Sequence, residues 1–262
     1  MYAIRSYYGI ASVVRKCLAT ETKHPYAVKI VDVTTERQSE KEAKLALEEA
    51  LSEVKLLKKL SGHPSIVKLH DFFPTPTFLF IIFEFASEEL FDKLNRAVKF
   101  GEKKTRHIMQ QLFEGICFIH EKMIVHRDLK LENILVINGD RVVISDFGFA
   151  KQLNEGQLLT DLVGTPGYLA PETLRCQMNE DAKGYSLEVD NWALGVIIQQ
   201  LRMMRMIQEG KYEFKKEVWE HISDGAKDLI QRLLTVPVSK RILSSEKFKT
   251  SMDVIYSRWR IV

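Results

Sequence analysis

The stretch VHRDLKLENIL, residues 125–135, decides how the rest of the chain is read. It places an acid, an ammonium and a carboxamide, Asp128, Lys130 and Asn133, within six positions and flanks them with apolar residues that normally go inside. A lone acid in such a setting is most simply a solvated loop residue. A second stretch, SDFGFA at 145–150, changes that reading. There Asp146 follows the β-like run RVVIS and precedes Phe-Gly. Two acids and an amide on turns beside strands form a hard-oxygen set suited to Mg2+, which usually shares its ligands with substrate phosphates. A third stretch, YAVKI at 26–30, buries Lys29 within an apolar strand. A buried ammonium is costly unless paired, and Glu53 on the following segment is the expected partner.

Outward from these stretches the chain has two textures. ASVVRKCL and YAVKIVDV are rich in Val and read as strands, with ETKHP as the turn between them. Residues 39–60 carry Leu47, Leu51, Val54 and Leu57 at helical spacing, and Ser39 with Glu42 fits a capping box. Two further strands are expected at 66–72 and 78–83. Beyond a connector near 84–88 the pattern turns helical, with helices expected at 103–122, 188–209 and 224–235 and a short strand at RVVIS.

A chain of 262 residues can bury a core as one large domain or two small lobes. At 45% apolar and 28% charged it is globular in composition. A net charge of +3 is too small an excess to predict nucleic-acid or membrane binding. Cys17, Cys117 and Cys176 are far apart and odd in number, which fits free thiols in a reducing compartment. The start lacks the pattern of a signal peptide, and no apolar run is long enough for a bilayer. The expected location is the cytoplasm.

VAVK-type Lys29, then HRDLKLEN, then DFG at 146–148, then APE at 170–172 occur in the order and spacing of the eukaryotic protein kinases, and the chain resembles that family over nearly its whole length. The resemblance implies an α+β fold of two lobes: a small β-rich N-lobe over 1–85 and a larger α-helical C-lobe over 86–262. It implies ATP and Mg2+ as cofactors. Asp128 would accept or orient the proton of the attacking hydroxyl, and Lys130 would steady the γ-phosphate. Asn133 and Asp146 would hold Mg2+. Lys29 would clamp the α- and β-phosphates, with Glu53 holding Lys29. Gly9 belongs to the phosphate loop. Val14 and Ala27 would roof the adenine and Leu135 floor it. Phe83 would back the slot, and the backbones of Glu84 and Ala86 would meet the adenine edge. Plain core packing is the competing explanation of the apolar members of that set.

Lys130 and GTPGYLAPE, with Thr165, resemble the Ser/Thr rather than the Tyr enzymes. LSGHPSIVKLHDFF, EELFDKL and SDFGFAKQL resemble the calcium/calmodulin-dependent group, and within it the phosphorylase kinase gamma catalytic subunits. The implied partner is a protein whose target Ser/Thr has basic residues nearby, facing Glu89 and Glu132, with glycogen phosphorylase as the candidate substrate. Regulatory subunits, calmodulin among them, are also implied. Arg127 before Asp128 calls for a balancing anion in the activation loop, and Asp161 stands where a fixed acid is expected. Thr160 as a phosphorylated residue is the competing expectation.

Several positions depart from the pattern. Tyr7 stands where the glycine-rich loop should have its first Gly, and Tyr fits poorly at an angle open to Gly alone. ALGVIIQQLRMMRMI runs on without the expected glycine- and proline-bearing loop, as if a segment near 199 were missing. Leu131 replaces the usual Pro. Arg241 matches the arginine expected to pair with Glu172, but TSMDVIYSRWRIV has no clear match, and the C-lobe reads as truncated, without the subfamily's calmodulin-binding tail. These departures support a competing expectation, a catalytically impaired kinase-fold module that binds or regulates partners. A small-molecule phosphotransferase of the same fold is disfavoured by the APE segment.

Overall fold

The structure is a computed structural model. It describes residues 12–36, 38–96, 102–179 and 181–209, with isolated positions beyond them. Gly9 and Tyr7 lie outside the described residues, as do Arg241 and most of the helix expected at 224–235. The chain divides into two compact units, Met1–Gln199 and Gln200–Val262. In the second, the described positions include an ion pair between Lys227 and Asp224 at 3.5 Å.

The elements follow in chain order as β1 (Ser12–Leu18), β2 (Pro25–Asp32), α1 (Glu40–Lys59), β3 (Leu69–Pro74), β4 (Phe78–Glu84), β5 (Glu88–Glu89) and α2 (Leu90–Arg96). They continue with α3 (Glu102–Glu121), β6 (Ile124–Val125), β7 (Ile134–Val136), β8 (Val142–Ile144), β9 (Lys151–Gln152), α4 (Pro171–Met178) and α5 (Glu188–Glu209). A β-rich N-terminal part and a helical part are thus both present, as the sequence leads one to expect.

The first sheet is antiparallel with order β1-β2-β4-β3. Its register pairs Val14 with Lys29, Lys29 with Ile81 and Ala27 with Phe83. Directly paired residues share a face, so these five side chains lie on one side of the sheet. On that side α1 packs Ala50 and Val54 against Val31, Leu79 and Ile81. α1 starts where Ser39 and Glu42 close the expected capping box: the Glu42 amide donates to Ser39 Oγ at 3.3 Å, and the Ser39 amide to Glu42 Oε2 at 2.8 Å. The helix buries Ala43, Ala50, Glu53, Val54, Leu56 and Leu57, an apolar stripe interrupted by one acid.

In the helical part, α3 buries Ile108, Met109, Leu112, Ile116 and Ile119 at helical spacing. Each fully buried Leu or Ile contributes about 1.5–3 kcal/mol relative to exposure. Against α3 lies the small sheet β5-β7-β8, and β6 pairs with β9. The strand expected at 66–72 differs from observation. β3 begins only at Leu69, because Ile66 bridges in parallel to Ile144 of β8 and Val67 donates to Ile144 O at 2.9 Å. The segment after α1 is therefore tied to the second sheet before it enters the first. α5 runs unbroken over 22 residues, so no loop interrupts it where the family pattern has one.

Candidate active site

The loop after β6 is held from below by one buried acid. Asp190, 1% exposed in the first turn of α5, accepts the His126 amide at 2.8 Å on Oδ2 and the Arg127 amide at 2.9 Å on Oδ1. Its Oδ2 also lies 2.9 Å from His120 Nε2. Arg127 adopts φ +70°, a left-handed conformation that costs a non-glycine residue about 1–3 kcal/mol. Charge-assisted bonds to both neighbouring amides offset that cost. His126 is buried and joins this loop to the next one. Its Nδ1 accepts the Asp128 amide at 3.2 Å, so Nε2 carries the proton and donates to Ser145 O at 3.0 Å. Phe147 meets the His126 ring edge-on at 4.9 Å.

Asp128 emerges from this loop 4% exposed, with a carboxylate held from three directions. Lys130 Nζ donates to its Oδ2 at 2.8 Å, Thr165 Oγ1 to its Oδ1 at 2.7 Å, and Asn133 Nδ2 to its Oδ2 at 3.1 Å. Lys130 also donates to Thr165 Oγ1 at 3.0 Å. Asn133 Nδ2 donates again to Asp128 O at 2.9 Å. The amide nitrogen is thereby committed, and the amide oxygen is the end of Asn133 that suits a cation. Leu131, where the family has Pro, is buried.

Asn133 and Asp146 are brought together by backbone pairing. β7 and β8 run antiparallel with Ile134 opposite Ile144, and Ser145 donates both its amide and its hydroxyl to Asn133 O at 2.9 Å. Asp146 follows directly, at φ +59° and with its side chain 50% exposed. Partial burial opposes its charge, but Lys29, the Gly148 amide and Lys130 outweigh that and hold its pKa below the usual carboxylate value. A carboxylate and an amide oxygen are the hard donors Mg2+ takes, so the residues present fit the ion.

Lys29 reaches from β2 towards both carboxylates, at 2.8 Å from Glu53 Oε2 and 3.5 Å from Asp146 Oδ1. Burial disfavours its charge, but the two acids overcome this and raise its pKa, so the ammonium is retained. Glu53, 3% exposed on α1, is pushed up by burial against the pull of Lys29, and it also accepts a bond from the Phe147 backbone. The expected Lys29–Glu53 pair is thus present, and it touches the DFG segment at two points.

Val14 is 39% exposed, while Ala27, Phe83, Ala86 and Leu135 are half-buried. Val14, Ala27 and Phe83 share the sheet face that carries Lys29. Glu84 ends β4 with its amide donating to Lys68 O at 3.0 Å and its carboxylate accepting the Lys68 amide at 2.8 Å.

Arg127 turns its guanidinium away from Asp128 into the activation segment. Nη1 donates to Asp161 Oδ2 at 2.7 Å and Nε to Phe149 O at 2.6 Å. The arginine side chain is 8% exposed and Asp161 47%. Burial raises the Asp161 pKa, but hydrogen bond and charge from Arg127 more than reverse this and depress it. Tyr185 donates its hydroxyl to Asp161 O at 2.7 Å. Gly164, at φ +112°, lets the segment pass so close that a Cβ there would stand 2.5 Å from Arg127 O.

Sequence reasoning brought out Asp128, Lys130, Asn133, Asp146, Lys29 and Glu53; the structure bonds Asp128 with Lys130 and Asn133, pairs Lys29 with Glu53 and Asp146, and joins the two groups through the Ser145–Asn133 backbone. It passed over Asp190, His126 and the contact of Thr165 with Asp128. An acid in the first turn of an otherwise apolar helix was the available signal for Asp190.

A four-stranded sheet with one packed helix, a helical part behind it, and a lysine reaching from the sheet to a DFG acid are the frame of a two-lobed kinase. The protein kinase domain family matches residues 8–252, and the chain belongs to that family. It is 43% identical over 252 residues to the phosphorylase b kinase gamma catalytic chain, liver/testis isoform, of Homo sapiens, covering 91% of this chain and 62% of that one. It is 37% identical over 253 residues to the human serine/threonine-protein kinase DCLK3, covering 89% and 37%. It is 33% identical over 258 residues to the calcium/calmodulin-dependent protein kinase type II of Caenorhabditis briggsae, covering 92% and 46%. The chain thus spans 62% of the length of the phosphorylase b kinase relatives. Among the described residues no helix is long and apolar enough to cross a membrane.

Proposed function

We propose that the chain transfers the γ-phosphoryl group of ATP to a Ser or Thr hydroxyl of a protein, as a phosphorylase kinase-like enzyme. The observation that carries this reading is the buried Asp128 carboxylate, held by Lys130, Thr165 and Asn133, together with the Lys29–Glu53 pair that reaches Asp146. The acceptor hydroxyl meets Asp128, which takes its proton as the new O–P bond forms. The bond to the bridging oxygen breaks and ADP leaves. Lys130, 2.8 Å from Asp128, stands where it can follow charge on the transferred group. Lys29 holds the α- and β-phosphates. Asn133 and Asp146 would hold Mg2+, which when bound neutralises charge on the phosphate oxygens. Val14, Ala27, Leu135 and the connector at Glu84 and Ala86 take the adenine, and Gly9 the phosphate side. Positioning and fixed charge supply most of the acceleration.

Asp161 supplies the anion that Arg127 needs, which makes activity independent of phosphorylation at Thr160. Glu89 on β5 and Glu132 after Lys130 face basic residues of the substrate, since carboxylates favour Arg by charge-assisted hydrogen bonds. Glycogen phosphorylase is the substrate that the similarity suggests, with calmodulin-type regulation and a cytoplasmic location. An ATP–Mg2+ thermal shift combined with a serine-peptide assay tests the reading. Binding with transfer supports it. Binding without transfer points instead to a kinase-fold module that regulates partners.

A further inference from the structure

Arg141, at the turn between β7 and β8, is absorbed by none of the roles above, yet each of its three guanidinium nitrogens is hydrogen-bonded. Nη1 donates to Glu84 Oε2 at 2.9 Å and Nη2 to Glu84 Oε1 at 3.2 Å, a two-point guanidinium–carboxylate pair. Its Nε donates to Pro64 O at 3.0 Å. Glu84 is partly buried, with its side chain 18% exposed. Its Oε1 also accepts the Lys68 amide at 2.8 Å, while its own amide donates to Lys68 O at 3.0 Å. Three segments distant in sequence therefore meet on one residue: the stretch after α1, the end of β4, and the β7–β8 turn.

Glu84 is also the first residue of the connector, and its carbonyl is the base-edge acceptor in the proposed nucleotide site. With amide and carboxylate both fixed, the Cα of Glu84 from which that carbonyl extends is held in place before any ligand arrives. A polar acceptor held in its bound orientation binds more tightly, because the ordering cost is already met. We infer that Arg141 is a positioning residue for the nucleotide: by clamping Glu84 it aims the connector backbone at the purine edge. This rests on the nucleotide reading of the preceding section. A lysine would supply the charge without the planar fork that spans both carboxylate oxygens.

The test uses the full chain, with ATP–Mg2+ affinity measured by calorimetry and amide hydrogen exchange followed at 64–68 and 84–87. R141A is expected to raise the ATP Kd about tenfold, with R141K in between. The KM for a serine peptide stays as in the wild type. Exchange at the Lys68 and Glu84 amides quickens. E84A with R141A is expected to be no worse than either alone, because both remove one clamp. K104A, which breaks the 3.2 Å pair with the neighbouring Asp140, leaves ATP affinity unchanged. An R141A variant that melts earlier but binds ATP like the wild type makes Arg141 a brace of the fold only and overturns the inference. So do multiplicative losses in E84A and R141A. A wild-type chain that binds no ATP removes the nucleotide reading and this inference with it.

Discussion

Asp161→Asn tests the activation-segment contact with the smallest change of shape. The substitution keeps an oxygen near Arg127 but removes the charge. In the structure Arg127 is nearly buried, and its strongest charged partner is the Asp161 carboxylate at 2.7 Å. A hydrogen bond between charged groups is worth roughly 1.5–3 kcal/mol when shielded from water. Asp161 is half exposed, so solvent screening reduces that figure. Arg127 also keeps its bonds to Phe149 O and to the Tyr185 hydroxyl, which limits the loss further. A cost of about 1–2 kcal/mol remains, which corresponds to about a 5- to 30-fold fall in kcat/KM if the segment must be seated for transfer. The assay is steady-state transfer to a basic serine peptide with ATP–Mg2+, alongside a melting curve. A wild-type rate in the variant would refute the reasoning, as would a loss fully explained by global unfolding.

The same pair predicts a flat pH response. Asp161 has a folded pKa below its unfolded value, so its contribution is complete above the unfolded pKa and is lost only as pH falls through the depressed one. Protection of the segment against hydrogen exchange should therefore be constant from about pH 6 to 8, whereas a phosphate anchor would titrate near pH 6. Glu53→Gln removes the buried partner of Lys29 and is expected to raise the ATP Kd about tenfold while leaving the peptide KM unchanged; equal ATP binding would remove Glu53 from the site. Asp190→Asn places an amide NH2 against the donors of His126 and Arg127, at a cost of about 3 kcal/mol. A melting temperature lowered by roughly 6–12 °C is expected, and an unchanged one would contradict the role given to Asp190.

What the sequence disclosed depended on range. The β1–β2 pair, α1 with its Ser39–Glu42 box, α3 and α5 all rest on local periodicity or on capping within four residues, and those expectations agree with the structure. The two-residue strands β5, β6 and β9 are too short to show any period, and they exist only because distant segments pair with them. β3 began later than its apolar pattern suggested because Ile66 and Val67 had a competing hydrogen-bond partner in Ile144. The charged residues of the site were legible as motifs. Their supports were not, since Asp190 meets His126 across 64 positions and Arg141 meets Glu84 across 57. No local pattern encodes such encounters, which follow from how the core packs.

The central claim is that Asp128, held by Lys130, Thr165 and Asn133, receives a hydroxyl proton as phosphoryl transfer proceeds from a nucleotide held by Lys29, with Asn133 and Asp146 as the residues that would hold its Mg2+. Radiolabelled phosphate transfer from ATP–Mg2+ to a serine peptide flanked by arginines, comparing the wild type with Asp128→Asn, tests it most directly. Label on the serine, with a rate at least about 100-fold lower in the variant and ATP binding retained, is the predicted result. A wild-type chain that binds ATP without labelling the peptide, or a variant as fast as the wild type, would contradict it.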